Sequence, residues 1–144
     1  MRVAPLQPFH YDLWLPLWKA NMEHSVSDDV TAVTWQRICD PESGIGGLCA
    51  RETENGPLAG ICHYVVHPTT GNMKPVCYMQ DLYVDPAFRR KGIARLLVTQ
   101  LALLGQKEGW ARLYWLAEEK NAAAQNLYRS LGLKLNFTLH VLPL

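Results

Sequence analysis

The stretch Asp81-Leu82-Tyr83-Val84-Asp85-Pro86-Ala87-Phe88-Arg89-Arg90-Lys91-Gly92-Ile93-Ala94 decides how this chain folds. Its first part completes residues 76–84, where aromatic, branched and apolar side chains give the strongest strand signal in the sequence. A short loop and a basic turn follow. From residue 92 to about 107, Ile93, Leu96, Leu97, Leu101 and Leu104 recur at amphipathic-helix spacing, and Gly105 and Gly109 mark the fading end. A strand that turns through a glycine into a helix makes an anion cradle. The first-turn N–H groups have no backbone partners, and the aligned peptide dipoles make that end positive. Gly92 lacks the Cβ that would hold a phosphate off the backbone, and Ala94 is small for the same approach. Arg89, Arg90 and Lys91 add charge. By itself, R-x-x-G-x-A fits equally well a basic helix start on a solvated face. It is neither a Walker loop nor a dinucleotide fingerprint, since the glycine spacings of both are missing.

Outward from this block, residues 2–6 read as a first strand. Residues 9–22 read as a helix with Leu13, Trp14, Leu17 and Trp18 on one face, which Pro16 should kink or interrupt. Ser27-Asp28-Asp29 is a helix start, followed by a stripe of Val30, Val33, Thr34 and Ile38. Residues 44–51 and 57–67 read as strands joined at Glu54-Asn55-Gly56, where Asn-Gly signals a hairpin. Residues 68–75 form a polar loop. Residues 112–117 read as a buried strand, 121–131 as a helix stopped by Gly132, and 135–142 as a last strand. The order β-α-α-β-β-β-α-β-α-β predicts an α/β (α+β) protein, one mixed sheet covered by about four helices.

The 144 residues suit one domain over 1–144, with room for a sizeable core. A net charge of +1 gives no general attraction to nucleic acid or membrane, so any anion site must be local. Cys39, Cys49, Cys62 and Cys77 form no C-x-x-C pair and read as reduced core residues. No metal is expected: His63 and His67 fall on one strand face rather than in a metal-binding helix pattern. His63 reads as a half-buried histidine or a proton relay. With no apolar leader and no stretch of spanning length, a cytoplasmic location is the default.

A second motif lies beyond the next strand, Asn121-Ala122-Ala123-Ala124-Gln125-Asn126-Leu127-Tyr128-Arg129-Ser130-Leu131-Gly132. In a helix, Asn121, Ala124 or Gln125, and Tyr128 share a face, with Asn121 and Tyr128 about 10 Å apart along the axis. Polar groups so spaced suit an extended ligand arm and its reactive end; a lone tyrosine with its hydroxyl in water is the plainer reading.

The pair R-x-x-G-x-A and N-x-x-A-x-x-L-Y-x-x-x-G resembles the GNAT superfamily of acetyl-CoA-dependent N-acetyltransferases. The D-L-Y-V-D-P and Y-W-L segments resemble the branch of histone/polyamine and diamine acetyltransferases. The resemblance implies a GNAT-like fold, with a mostly antiparallel sheet splayed at the CoA site. Arg89, Arg90, Lys91, Gly92, Ile93 and Ala94 would hold the pyrophosphate. The strand carrying Leu82, Tyr83 and Val84 would pair with the pantetheine arm, Asn121 would hold that arm from the other side, and Tyr128 would lie near the thioester sulfur.

The residue types suit acetyl transfer. A phenol with pKa about 10 can donate to a leaving thiolate of pKa about 8.5. Deprotonating an alkylammonium of pKa about 10.4 at pH 7 costs about 4.6 kcal/mol, which a base or a desolvating pocket must supply. A backbone N–H near Leu82 is the family-like oxyanion donor. Relatives often carry a glutamate just before the D-L-Y-V aspartate, whereas this chain has Gln80, which can orient a water but cannot take a proton. Asp81 is then the nearest carboxylate, either a base or a cap on loop amides. Glu118 faces the acceptor or solvates the helix start. Tyr11, Trp14, Trp18 and Trp35 are an ammonium box or core packing. The single strand left after Leu133 would leave a sheet edge open, so a homodimer is expected. The acceptor is a small-molecule amine or a lysine side chain. A catalytically weak acyl-CoA-binding regulatory module is the alternative, kept open by Gln80, and a nucleic-acid-binding role for Arg89-Arg90-Lys91 is disfavoured by the near-neutral charge.

Overall fold

A computed structural model describes residues 1–144. Five strands, β1 (Arg2–Pro5), β2 (Ile45–Arg51), β3 (Gly60–His67), β4 (Val76–Val84) and β5 (Leu113–Tyr114), form one sheet in chain order. The first four are antiparallel and β5 runs parallel to β4, so the sheet is mixed, as the element order predicted. Four helices cover it: α1 (Tyr11–Asn21), α2 (Asp28–Cys39), α3 (Ile93–Glu108) and α4 (Ala122–Leu131).

Strand alternation divides the core between two faces. Leu48, Ala50 and Cys62 meet Ile93, Leu97, Val98 and Leu101 of α3 on one face. Cys49 and Ile61 meet Trp14, Leu17 and Trp18 of α1 and Ile38 of α2 on the other. Each fully buried aliphatic on α3 is worth about 1.5–3 kcal/mol relative to solvent exposure. Gly105 lies inside α3 rather than at its end, because a Cβ there would stand 2.7 Å from the Trp110 ring. The helix stops at Gly109, whose φ of +79° only glycine adopts without strain.

Several local expectations are corrected. Pro16 sits within a continuous α1 and does not break it. Ser27 caps α2, its hydroxyl accepting from the Val30 N–H, but Val30 and Val33 face solvent, and the inward stripe is Thr31 and Ile38. Asn55-Gly56 makes no two-residue hairpin; β2 and β3 are joined by residues 52–59. The strand expected over 112–117 pairs only at Leu113–Tyr114, and residues 135–142 form no strand. They keep an alternation of exposed Leu135, Phe137, Leu139 and Val141 with nothing paired to it.

All four cysteines are free, and burial pushes the Cys62 and Cys77 thiols up to about 12, which makes them inert packing groups. His10 is 1% exposed, accepts from the Gln7 N–H through Nδ1, and has no partner for Nε2. No helix is long and apolar enough to cross a membrane.

Candidate active site

β4 and β5 pair only at Cys77 with Leu113 and at Tyr78 with Tyr114. Beyond that point β4 continues for six residues while the other chain peels away, opening a cleft of about 330 Å³. One wall is residues 79–82 of β4 and the other is residues 115–118. Asn121, Ala124 and Tyr128 close it from the α4 side, and Asn21 closes it from α1. This is the splay that the family resemblance implied.

The β4 wall is irregular. His63 pairs with Asp81 but Tyr64 pairs with Met79, so Gln80 is an extra, bulged residue. Cys77 and Met79 face α3, and without the bulge Asp81 would face it too. After the bulge, Leu82 and Val84 take the α3 face, and Asp81 turns toward α1. There its carboxylate accepts from Asn21 Nδ2 at 3.2 Å and lies 2.9 Å from His63 Nδ1. Gln80 is exposed on the cleft.

At the start of α3, the N–H groups of residues 90–95 find no acceptor in the chain; the first helical bond here is from the Leu96 N–H to the Gly92 carbonyl. Arg90 and Gly92 both take left-handed φ values, +64° and +74°. A Cβ at Gly92 would meet nothing within 4 Å. The glycine therefore serves the backbone turn and the open space above it, not internal packing, and that space with its unpaired donors fits a pyrophosphate. Arg89 donates to the Val84 carbonyl at 3.2 Å and Lys91 pairs with Glu52 at 3.1 Å, leaving Arg90 the unengaged cation of the three. Ile93 is buried beneath the turn, and Ala94 is half-buried.

Asn121 is the N-cap of α4, its side-chain oxygen accepting from the Ala124 N–H. Tyr128, one face along, packs 5.3 Å from the Trp115 ring, and burial raises its phenol pKa, so the group keeps its proton. Glu118 lines the cleft, while its backbone carbonyl accepts from Gln125 Nε2.

The structure thus brings Gln80, Asp81, Leu82, Glu118, Asn121 and Tyr128 together. It does not bring in the aromatic stripe: Trp18 is 5% exposed and donates to Thr31 Oγ1, and Tyr11 packs edge-on against Trp35 at 5.5 Å. Tyr83 lies on the α1 face of the sheet, away from the cleft. Asn21 was not singled out in the sequence, and Trp115 entered only as part of the Y-W-L segment, with no role given to it. Trp115 lies within the expected fifth strand, but nothing in the pattern marks an asparagine at the end of a helix.

Comparison with known proteins gives the same answer as the geometry. The acetyltransferase (GNAT) family profile matches residues 8–133. The chain is 30% identical over 141 residues to a D-amino-acid N-acetyltransferase of Saccharomyces cerevisiae, covering 96% of this chain and 88% of that protein. A thialysine N-epsilon-acetyltransferase of Caenorhabditis elegans is 45% identical over 51 residues, 35% of this chain and 32% of its own. The fold superposes on the aminoglycoside N-acetyltransferase AAC(6')-Iy, solved with a bisubstrate analogue of CoA, with TM-score 0.85 and 18% identity over 99% of this chain and 96% of that one. The chain therefore belongs to the acetyltransferase (GNAT) family and is an N-acetyltransferase.

Proposed function

We propose that the chain transfers the acetyl group of acetyl-CoA to a primary amine of a cationic small molecule or lysine side chain. The observation that carries this reading is the cleft between β4 and β5, with a phosphate-ready turn at the start of α3 and a protonated phenol on its α4 side. Acetyl-CoA supplies an activated thioester carbonyl. Residues 90–94 hold the diphosphate, Asn121 and the β4 edge at Leu82 hold the arm, and the Leu82 N–H faces the oxyanion. Tyr128 donates its proton to the departing sulfur and is restored by the second proton that the attacking nitrogen loses as the amide forms. Asp81 takes the ammonium's proton, and Gln80 orients a water beside it.

The cleft's lining carries two carboxylates, Asp81 and Glu118, and no cationic side chain. That balance attracts an ammonium and repels a carboxylate attached close to the reacting nitrogen. An amine several bonds from any carboxylate fits better than the α-amine of an amino acid. Purified protein assayed for thiol release over a panel of diamines, lysine peptides and D-amino acids tests this: turnover only with D-amino acids overturns the acceptor assignment. CoA binding by calorimetry with no turnover on any amine supports the regulatory module, which the amide at Gln80 favours.

The reading extends to a homodimer in the cytoplasm. Four free cysteines suit a reducing compartment. Residues 135–142 present an unpaired strand pattern, and β5, the edge strand beside the cleft, pairs over two residues only. Exchange of that segment between two copies covers both. Sedimentation at monomer mass would remove the dimer.

A further inference from the structure

A chain of hydrogen bonds runs from the buried core to Asp81, and its first donor fixes where each proton sits. The indole N–H of Trp14, which has no exposure, donates to His63 Nε2 at 2.9 Å. An indole N–H can only donate, so Nε2 is an acceptor and the imidazole proton is on Nδ1. That proton faces Asp81 Oδ2 at 2.9 Å, while Asn21 Nδ2 donates to Oδ1 of the same carboxylate at 3.2 Å. Both carboxylate oxygens are held, one from β3 and one from the end of α1. His63 is 3% exposed and is packed by Trp14, Trp18 and Asp81.

A histidine in this state is not a base. Its one nitrogen lone pair is taken by Trp14, and a second ring proton would set two N–H donors against each other. His63 therefore neither receives the acceptor's proton nor relays it. What remains is orientation. Asp81 reaches the cleft wall because the bulge at Gln80 is absorbed without flipping it, and its side chain keeps 17% exposure, with His63 and Trp14 buried behind it and Asn21 beside it at the cleft.

We propose that Trp14, His63 and Asn21 are positioning residues that aim the Asp81 carboxylate at the acceptor ammonium, so that acceptor affinity depends on an indole N–H in the core. The inference rests on the cleft being an amine site. A purely structural network would affect stability and leave ligand affinity alone.

The test is a calorimetric titration of the CoA-loaded protein with 1,3-diaminopropane, for the native chain, Asn21→Ala and Trp14→Phe. Long-range proton–nitrogen NMR of the histidine rings at pH 7 accompanies it. The native His63 should show the neutral Nδ1–H form. Diamine Kd should rise about tenfold in each variant, as expected for losing a hydrogen bond to a charged group, with CoA affinity held. Asn21→Ala, at a helix end, carries the test should Trp14→Phe not fold. An Nε2–H tautomer or imidazolium, unchanged diamine affinity, or no diamine binding by the native protein would each overturn the proposal. If the binding pattern appears but no thiol is released from acetyl-CoA, the transferase reading fails and the positioning role stands.

Discussion

The body formed by β2–β4 with α3 and the segment from β5 onward hold opposite halves of the site with very different firmness. Every buried residue of the chain lies at or before Gly105; none lies in residues 106–144. The turn at Gly92 rests on Ile93, Leu97 and Leu101, packed against four strands' worth of core. Helix α4 has no buried residue and is anchored by Tyr128 and Leu131 at the core's margin and by Arg95 Nη2 to Ser130 Oγ at 2.7 Å. The proposed nucleotide grip is thus built into the stable part, while the proposed acid rides on the part that opens at lower cost. A ligand spanning both would tie the second region to the first.

The comparison is broken most directly from the firm side. Gly92→Glu meets no atom of the chain but strains the backbone at φ +74°, a local cost the core beneath can bear, and should lower CoA affinity by about a hundredfold or more through charge and bulk at the turn. Gly92→Asn, which tolerates a positive φ, should lose far less. Calorimetry with CoA compares them, and equal affinities would place the diphosphate elsewhere. From the loose side, Tyr128→Phe should lower kcat by about a hundredfold while CoA affinity barely moves. Steady-state kinetics paired with the same calorimetry separates the two effects.

Hydrogen exchange sharpens the contrast itself. Amides of α4 should exchange well before those of β3, β4 and α3, and CoA should slow α4 more than α3. Uniform protection before ligand addition would erase the distinction.

The smallest expected effect lies at His10, far from the cleft. Desolvation first, and then the Arg51 charge, lower its folded pKa below the ordinary 6.5. The folded state then binds fewer protons than the unfolded chain. Its stabilising contribution is present above about pH 6.5 and is lost as pH falls below that value toward the folded pKa. Thermal unfolding should show a small fall in Tm between about pH 7.5 and about pH 5.5, and His10→Phe should flatten that slope.

Much of the firm body was legible because its signals are local. The β4 run, the glycine turn and the α3 stripe each specify themselves, and the motif spacing brought Asn121 and Tyr128 to one helical face. What failed needed a partner. Alternation over residues 135–142 is a property of the chain, but a strand requires a partner, and these residues pair with neither edge of the sheet. The tract at 112–117 reads as strand throughout, yet it leaves β4 after two residues. For Trp14 and Trp18, the helical stripe showed that they turn inward but not that they lie behind the cleft wall. The bulge was hidden because both parities of β4 are apolar: Cys77 and Met79 before it, Leu82 and Val84 after it.

That bulge also limits how the β4 segment can change. A sheet keeps count in twos, so one extra residue must either flip every side chain beyond it or be absorbed as a bulge, and here it is absorbed. Excising Gln80 alone would remove the bulge and leave regular alternation, with Met79 and Leu82 beneath α3 and Asp81 between them still opposite His63 on the α1 side. Keeping Gln80 but pleating it regularly is what would swing Asp81 into the greasy side beneath α3. Length at this point is therefore as informative as letter: a homologue one residue shorter here would keep its aspartate opposite the histidine and lose only the amide that Gln80 presents to the cleft.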